Sequence, residues 1–357
     1  MAAARGRGAV RLAHDDPRLR YRGAVSLQCG PGWTAPWRLP HDEAALHLPE
    51  GGVGRAAMPA GVRVTFRTDS PELTCRYQAD PPPRLNGPQE RPYLDVLCGE
   101  RCTTVLLEAD GRDHTFRVTG LPGRPAVVEL WLPTYAQFRL GEVMLADGAV
   151  VWPDERTAPH WVHYGSSVSQ GRGAASPARA WPALVARRTG WDLISLALGG
   201  ACYLQPMTAR LIRDLPADVI TACVGINIQA LGTHNADSLA AAVVGFVRTV
   251  RDGHPTTPFT LMSTIVAPDR EDVPGPSGLT VAETRHHVRR AVELLRAQGD
   301  EHLAYLDGLE VFGADLADHL LEPVGIDRLH PSPAGHAVFA DRFLARVGRS
   351  LCVPVTA

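Results

Sequence analysis

The chain has 357 residues, 38 acidic side chains against 36 basic ones, and a formal net charge of −2. Lysine is absent, so every basic residue is arginine, which excludes a lysine Schiff base and a Walker-type phosphate loop. The charge balance gives no reason to expect nucleic acid or an anionic membrane as partner; 45% hydrophobic with 21% charged residues suits a soluble globular chain, and the length, more than one core carries, predicts two domains.

The first residues, MAAARGRGAVRLAHDD, lack the apolar core of a signal peptide, and no apolar run reaches membrane-spanning length. The 7 cysteines are scattered and odd in number, which fits reduced thiols in the cytoplasm better than a disulfide framework. Residues 1–19 are expected to be a flexible N-terminus. Residues 20–152 read as an all-β domain. Short alternating runs recur at Val62–Thr68, Glu72–Gln78, Tyr93–Cys98, Thr103–Ala109, His114–Gly120, Val127–Pro133 and Phe138–Leu145, divided by turn residues such as Asp110-Gly111. Regular short strands with no helical period between them predict a β-sandwich or jelly roll.

The polar, Pro-containing stretch Trp152–His160 marks the boundary, with 153–160 as linker and 161–357 as a second domain. From there strands and helices alternate. The strand WVHYG precedes a helix through WPALVARRT that stops at Gly190. DLISLAL, a helix at Met207–Asp214 and DVITACVG follow. Then come a helix at Ala236–Arg251, FTLMSTIV, a helix at Val281–Gln298, LAYLDG, and a last helix at Ala334–Val347. This alternation predicts an α/β/α layered parallel sheet, which binds ligands at the carboxyl ends of its strands.

Four segments stand at such ends. GSSVSQG (Gly165–Gly171) puts a serine hydroxyl at a strand-to-helix turn, where its own N–H can face a developing oxyanion. LALGGACYL (Leu196–Leu204) carries two glycines that permit close backbone approach. VGINIQ (Val224–Gln229) can aim the Asn227 amide into the site. DRLHPSPAGH (Asp327–His336) can hold a carboxylate against an imidazole on one loop. Each alone also reads as an ordinary turn, cap or surface loop. Together, in order, they supply a nucleophile, two further oxyanion donors and an Asp-His base.

This order resembles the SGNH (GDSL) hydrolase superfamily, from about Trp161 to the C-terminus. It is most similar to the bacterial branch whose first block begins G-S-S-I-T-Q and which carries an N-terminal β domain. The stretch Gly23–Glu43, GAVSLQCGPGWTAPWRLPHDE, extends that likeness. The resemblance implies a flavodoxin-like three-layer sheet, with Ser167 as nucleophile, His330 as general base and Asp327 as its partner. It implies an oxyanion hole of Ser167, Gly200 and Asn227. The chain departs from the family pattern at Ser166 (usually Asp), at Ser195 and Ala197 (often Asn and Gly), and at Ile228 (usually Asp). These positions tune hydrogen bonding around the triad.

The implied chemistry is acyl transfer through an acyl-enzyme on Ser167. If water resolves it, the protein is an esterase for a small-molecule or carbohydrate ester. The alternative is an acyltransferase that moves an acyl group from acyl-CoA to a hydroxyl of a small molecule such as a tetracycline-type polyketide. Neither needs a metal or an organic cofactor; acyl-CoA would be a co-substrate. A non-catalytic binding module is a third reading, opposed by the intact Ser167, Asn227, Asp327 and His330.

Other residues read more plainly. Cys98 and Cys102 flank a hairpin turn, and His286-His287 lies on a solvated helix face. His336 packs or caps the last helix. Trp33 and Trp37, near Arg38, read as packing or as an aromatic ligand wall. The long loop Ala267–Gly278 reads as a surface loop or as a wall of the site.

Overall fold

The computed structural model describes residues 8–49, 54–83, 90–321 and 328–351, with side chains through 347. Its N-terminal part is an antiparallel sandwich. One sheet runs Ser26–Gly30, Trp33–Trp37, Phe138–Asp147, Glu72–Ala79, Asp113–Thr119, with Ala9–Leu12 also paired to Phe138–Asp147. The other runs Val151–Pro153, Arg63–Thr68, Ala126–Trp131, Tyr93–Cys98, Arg101–Leu106, with Arg20–Arg22 paired to Arg63–Thr68. Alternation decides which side chains meet. Leu73, Cys75, Tyr77 and Ala79 point inward from one sheet and pack against Val64, Phe66, Leu94 and Val96 of the other.

Two boundary expectations change. Residues 8–19 are not a flexible tail: Val10 and Leu12 alternate with charged or exposed neighbours, and the strand Ala9–Leu12 buries Leu12 in the sandwich. Residues 1–7 lie outside the described residues. The expected linker 153–160 is also mostly tied down. Pro153 ends one strand, His160 begins another, and Asp154 is buried between Arg22 and Arg156.

The third sheet is parallel, in the order Asp192–Ala197, His160–Gly165, Val219–Val224, Phe259–Ser263, Leu303–Leu306. Three of these strands are buried along their whole length, as expected where helices cover both faces. Trp161, Trp181, Phe339 and Phe343 fill one face; Tyr164, Phe246, Val247 and Phe259 fill the other. Helices Trp181–Thr189 and Pro333–Leu351 pack on the first of these clusters, and Leu239–Arg251 and Val281–Ala297 on the second. Strand order 2-1-3-4-5 places the switch point between His160–Gly165 and Val219–Val224, so a ligand belongs outside the carboxyl ends of that pair. Among the described residues no helix is long and apolar enough to cross a membrane.

The two parts meet over buried ion pairs. Arg22 and Arg63 of the sandwich both bind Asp192, at 3.0 and 2.7 Å, where the edge strand of the parallel sheet begins. At the opposite end of that strand Arg38, 1% exposed, donates to the carbonyls of Ser195 and Ala197.

Candidate active site

Strand His160–Gly165 ends at the switch point, and the chain turns at once into the short helix Ser167–Gln170. Gly165 allows the turn, since a Cβ there would collide with the Ser169 side chain. Ser167 is half-buried at the first helical position, and first-turn N–H groups have no acceptor inside a helix. Its Oγ lies 2.8 Å from Nε2 of His330, a distance at which the hydroxyl donates to the imidazole. The His330 loop is held in turn by Leu321 N–H, which donates to the His330 carbonyl at 2.6 Å. Asp327, expected to orient that imidazole, lies outside the described residues.

Below Ser167, His163 is fully buried. Its Nε2 meets Ser169 Oγ at 2.8 Å and its Nδ1 meets Thr221 Oγ1 at 2.7 Å. Burial pulls its pKa down to about 3, so the ring is neutral, with one nitrogen donating and the other accepting. It ties the Ser167 turn to the sheet and touches no solvent. His336 is similar. Its Nδ1 accepts from Trp181 N–H and its Nε2 donates to the Arg172 carbonyl, while burial lowers its pKa to about 4. It packs the last helix and has no nitrogen left for a second base.

The segment Gly199–Cys202 joins the other parts. A Cβ on Gly199 would lie 3.4 Å from Ser167 Cβ, so this loop abuts Ser167. Gly200 has a φ of +74°, a conformation that favours glycine, and open space where a Cβ would point. Its N–H has no acceptor among the described residues. Two residues on, Cys202 N–H donates to Asn227 Oδ1 at 3.2 Å. That bond fixes the amide: the oxygen must face Cys202, so Nδ2 faces away from it and has no partner among the described residues. Asn227 rides on the helix Ile226–Leu231, directly after the strand Val219–Val224. Ser167 and His330 are thus in direct contact, with Gly200 and Asn227 on and against the loop beside them.

Several residues missed by sequence reasoning build this site. Gln170 receives Gly199 N–H on Oε1 at 2.7 Å and donates from Nε2 to the Thr134 carbonyl at 2.8 Å. Tyr135, fully buried, directs its hydroxyl to the Ser167 carbonyl at 3.4 Å. Arg55 donates from Nε to the Gly199 carbonyl at 3.2 Å. Gln170 lies inside the first segment and carried a local signal. Tyr135 and Arg55 come from sandwich loops that no pattern marks.

The remaining candidates fall into place. Trp33 and Trp37 lie on a strand, with Trp37 Nε1 donating to Gln28 and Arg139 over the Trp33 ring. Cys98 and Cys102 flank a hairpin turn, and Leu97 faces Cys102. Among the described residues no group of three or more His, Cys, Asp or Glu side chains is placed to hold a metal ion. The loop Ala267–Gly278 is fixed by Glu271 against Arg285 and by Gln229 Nε2 on the Val273 carbonyl. Ala267 packs with Ile226 and Leu329, next to Asn227 and His330 in sequence. A pocket of about 270 Å³ between Glu90, Tyr93, Thr134, Gly173 and Leu321 opens beside the loop that follows the helix Ser167–Gln170. A cavity of about 750 Å³ lies instead at the domain seam, near Arg63, Trp131 and Trp191, and shares no residue with Ser167 or His330.

The family model described as SsfX3, N-terminal domain, matches residues 19–141, and that of the GDSL-like Lipase/Acylhydrolase family matches 160–347. Among solved structures, the chain is similar to the salicylyl-acyltransferase SsfX3 from a tetracycline biosynthetic pathway. Identity there is 45% over 99% of this chain and 100% of that one, with a TM-score of 0.91. A Bacteroides ovatus protein described as a GDSL-like lipase has 20% identity, a TM-score of 0.78 and coverage of 98% and 100%. A family two carbohydrate esterase from Cellvibrio japonicus has 14% identity, a TM-score of 0.64 and coverage of 97% and 98%. The last two show the shared fold. No curated protein matches the sequence.

Proposed function

From the premise that the chain belongs to the GDSL-like lipase/acylhydrolase family, we propose that it is an acyltransferase working through an acyl-enzyme on Ser167. The single observation that carries the acyl-enzyme is the 2.8 Å approach of Ser167 Oγ to His330 Nε2. Its transferase form is supported by the 45% identity to a salicylyl-acyltransferase over almost the whole chain.

His330 takes the Ser167 proton as Oγ attacks the carbonyl carbon of an acyl thioester. The carbonyl electron pair moves to oxygen. The resulting oxyanion is held by Ser167 N–H, Gly200 N–H and Asn227 Nδ2. Collapse breaks the C–S bond, and the departing thiolate takes the proton back from His330. An acceptor hydroxyl then gives its proton to His330 and attacks the acyl-enzyme. The second collapse releases the ester and returns the proton to Ser167. Asp327 orients the imidazole and stabilises its charged form. All these steps use the chain's own groups, without a metal or organic cofactor, and acyl-CoA is the donor. The acceptor is a hydroxyl of a small molecule of the polyketide class, and the reaction runs in the cytoplasm. Hydrolysis is the same acyl-enzyme resolved by water, a reading that the acylhydrolase family model supports.

Intact-mass measurement across a panel of acyl-CoA donors, with and without a polyol or polyketide acceptor, tests this. A transient acyl adduct on Ser167 that passes to the acceptor is the expected result. Free acid released at an unchanged rate, with no acylated acceptor, would replace transferase by esterase. A fluorophosphonate that fails to label Ser167 in folded protein would remove the acyl-enzyme itself.

A further inference from the structure

Arg55 belongs to the sandwich part of the chain, yet it reaches the loop beside the nucleophile. It opens the single turn Arg55–Ala57, whose backbone is pinned by Arg38: Nη2 of Arg38 donates to the Arg55 carbonyl at 2.5 Å, and Arg38 N–H to the Ala56 carbonyl at 2.9 Å. From this fixed base the Arg55 guanidinium lies over the Tyr135 ring, 5.7 Å from its centroid, and Nε donates to the Gly199 carbonyl at 3.2 Å.

That carbonyl belongs to the same peptide unit as Gly200 N–H. The unit is trans, because Leu48-Pro49 is the cis bond recorded among the described residues. In a trans peptide C=O and N–H point in opposite directions. Holding the Gly199 oxygen toward the sandwich therefore turns Gly200 N–H away from it, and that N–H has no acceptor among the described residues. The preceding peptide is pinned independently, by Gly199 N–H on Gln170 Oε1 at 2.7 Å. The turn is closed by Ala201 N–H on the Leu198 carbonyl at 3.0 Å, and the Tyr203 hydroxyl donates to the Gly200 carbonyl, but neither bond holds the Gly199 oxygen, and a peptide between two glycines can otherwise flip within such a turn. A cation on a carbonyl oxygen also polarises the amide and strengthens its N–H as a donor.

We propose that Arg55 is a positioning residue for acyl transfer: it holds and polarises the Gly199–Gly200 peptide so that Gly200 N–H faces the oxyanion. The inference rests on the acyl-enzyme reading above and adds to it a role for the N-terminal sandwich in the chemistry.

The test uses full-length Arg55→Met and Arg55→Lys, with 4-nitrophenyl acetate as probe ester and a phenyl trifluoromethyl ketone as tetrahedral mimic. Deleting an oxyanion donor outright costs on the order of 10²–10³ in turnover, so loosening one is expected to cost roughly 10- to 100-fold in kcat/KM. KM for the ester should stay within about twofold, while Ki for the ketone rises by the same factor as kcat/KM falls. Arg55→Lys, whose ammonium can still donate to the Gly199 carbonyl, should recover most of the loss. If Arg55→Met does not fold, Arg55→Ala, which likewise has no donor for the Gly199 carbonyl, serves against Arg55→Lys in the same comparison. Unchanged kcat/KM in Arg55→Met, or a fall with Ki unmoved, overturns the inference. Ser167→Ala runs alongside: its retained activity would sink the acyl-enzyme reading instead, so the two failures are told apart.

Discussion

Asn227→Asp tests the oxyanion site with little change of shape. In the native protein the amide oxygen accepts from Cys202 N–H at 3.2 Å, and the amide nitrogen is the outward group. The variant keeps an oxygen for Cys202 and turns the outward donor into a charged acceptor. Losing one donor of this kind costs about 2.7–4 kcal/mol of transition-state stabilisation, or on the order of 10²–10³ in turnover. A carboxylate facing a growing negative charge adds repulsion, so a fall in kcat/KM of at least about 10³ is expected. Asn227→Ala differs in a measurable way. It removes the same donor and also strands Cys202 N–H, which is buried, at a cost of about 1–3 kcal/mol in stability. Steady-state hydrolysis of 4-nitrophenyl acetate and urea unfolding of both variants separate the two effects. Asn227→Asp with more than about a tenth of wild-type kcat/KM would mean that the amide nitrogen does not face the oxyanion, and the donor set derived from Cys202 would fall.

Ser167→Ala should abolish turnover while Ser166→Ala keeps a substantial part, read by the same assay; the reverse would shift the nucleophile by one residue. Stability should fall in mild acid. His163 and His336 have folded pKa values of about 3 and about 4, below an unfolded value near 6.5, so the unfolded chain binds more protons between those limits. Their contribution is complete above pH 6.5 and is lost as pH falls toward the folded values, by about 4 kcal/mol in total between pH 8 and pH 5. His336→Gln should remove about half of that dependence in urea titrations followed by circular dichroism, and an unchanged dependence would refute the assignment. Asp192→Asn leaves Arg22 and Arg63 without their shared carboxylate at the domain seam, and should destabilise the protein by about 3–5 kcal/mol in the same titrations.

The catalytic half was legible because its physics is local. A parallel sheet covered on both faces needs unbroken apolar strands, and DLISLA and VITACV are such runs. Its ligands gather at strand ends, so Ser167, Gly200 and Asn227 could be located by what precedes them. His330 could be placed beside Ser167 only through the family likeness, since 163 residues separate them and no spacing rule bridges that gap. The misses have equally physical causes. Trp33–Trp37 contains Pro36, which argues against a strand, yet it pairs with Ser26–Gly30. Ala9–Leu12 and Arg20–Arg22 are too short to show a period. The helix Ile226–Leu231 has fewer than two turns on which periodicity could register. The 2-1-3-4-5 order is set by crossovers between strands, which residue alternation does not encode.

The least legible feature is that the sandwich builds part of the Ser167–His330 site. Arg38 donates to the carbonyls of Ser195 and Ala197 and Arg55 to that of Gly199, the Thr134 carbonyl accepts from the amide of Gln170, and the Tyr135 hydroxyl donates to the Ser167 carbonyl. Each is a loop or strand-end residue far in sequence from what it touches, and each pairs a polar group that burial would otherwise strand. Arg38 makes the dependence clearest. A fully buried guanidinium, whose pKa burial lowers to about 9, is tolerated because four carbonyls from both parts of the chain surround it. Cutting the chain at residues 154–159 would therefore strip partners from both sides: donors from the loop beside Ser167, and acceptors from Arg38 and Arg55. A catalytic domain expressed alone would keep Ser167 and His330 but lose the groups that fix the Gly199–Gly200 peptide. The sandwich is thus better understood as one wall of the Ser167–His330 site than as an attached binding module.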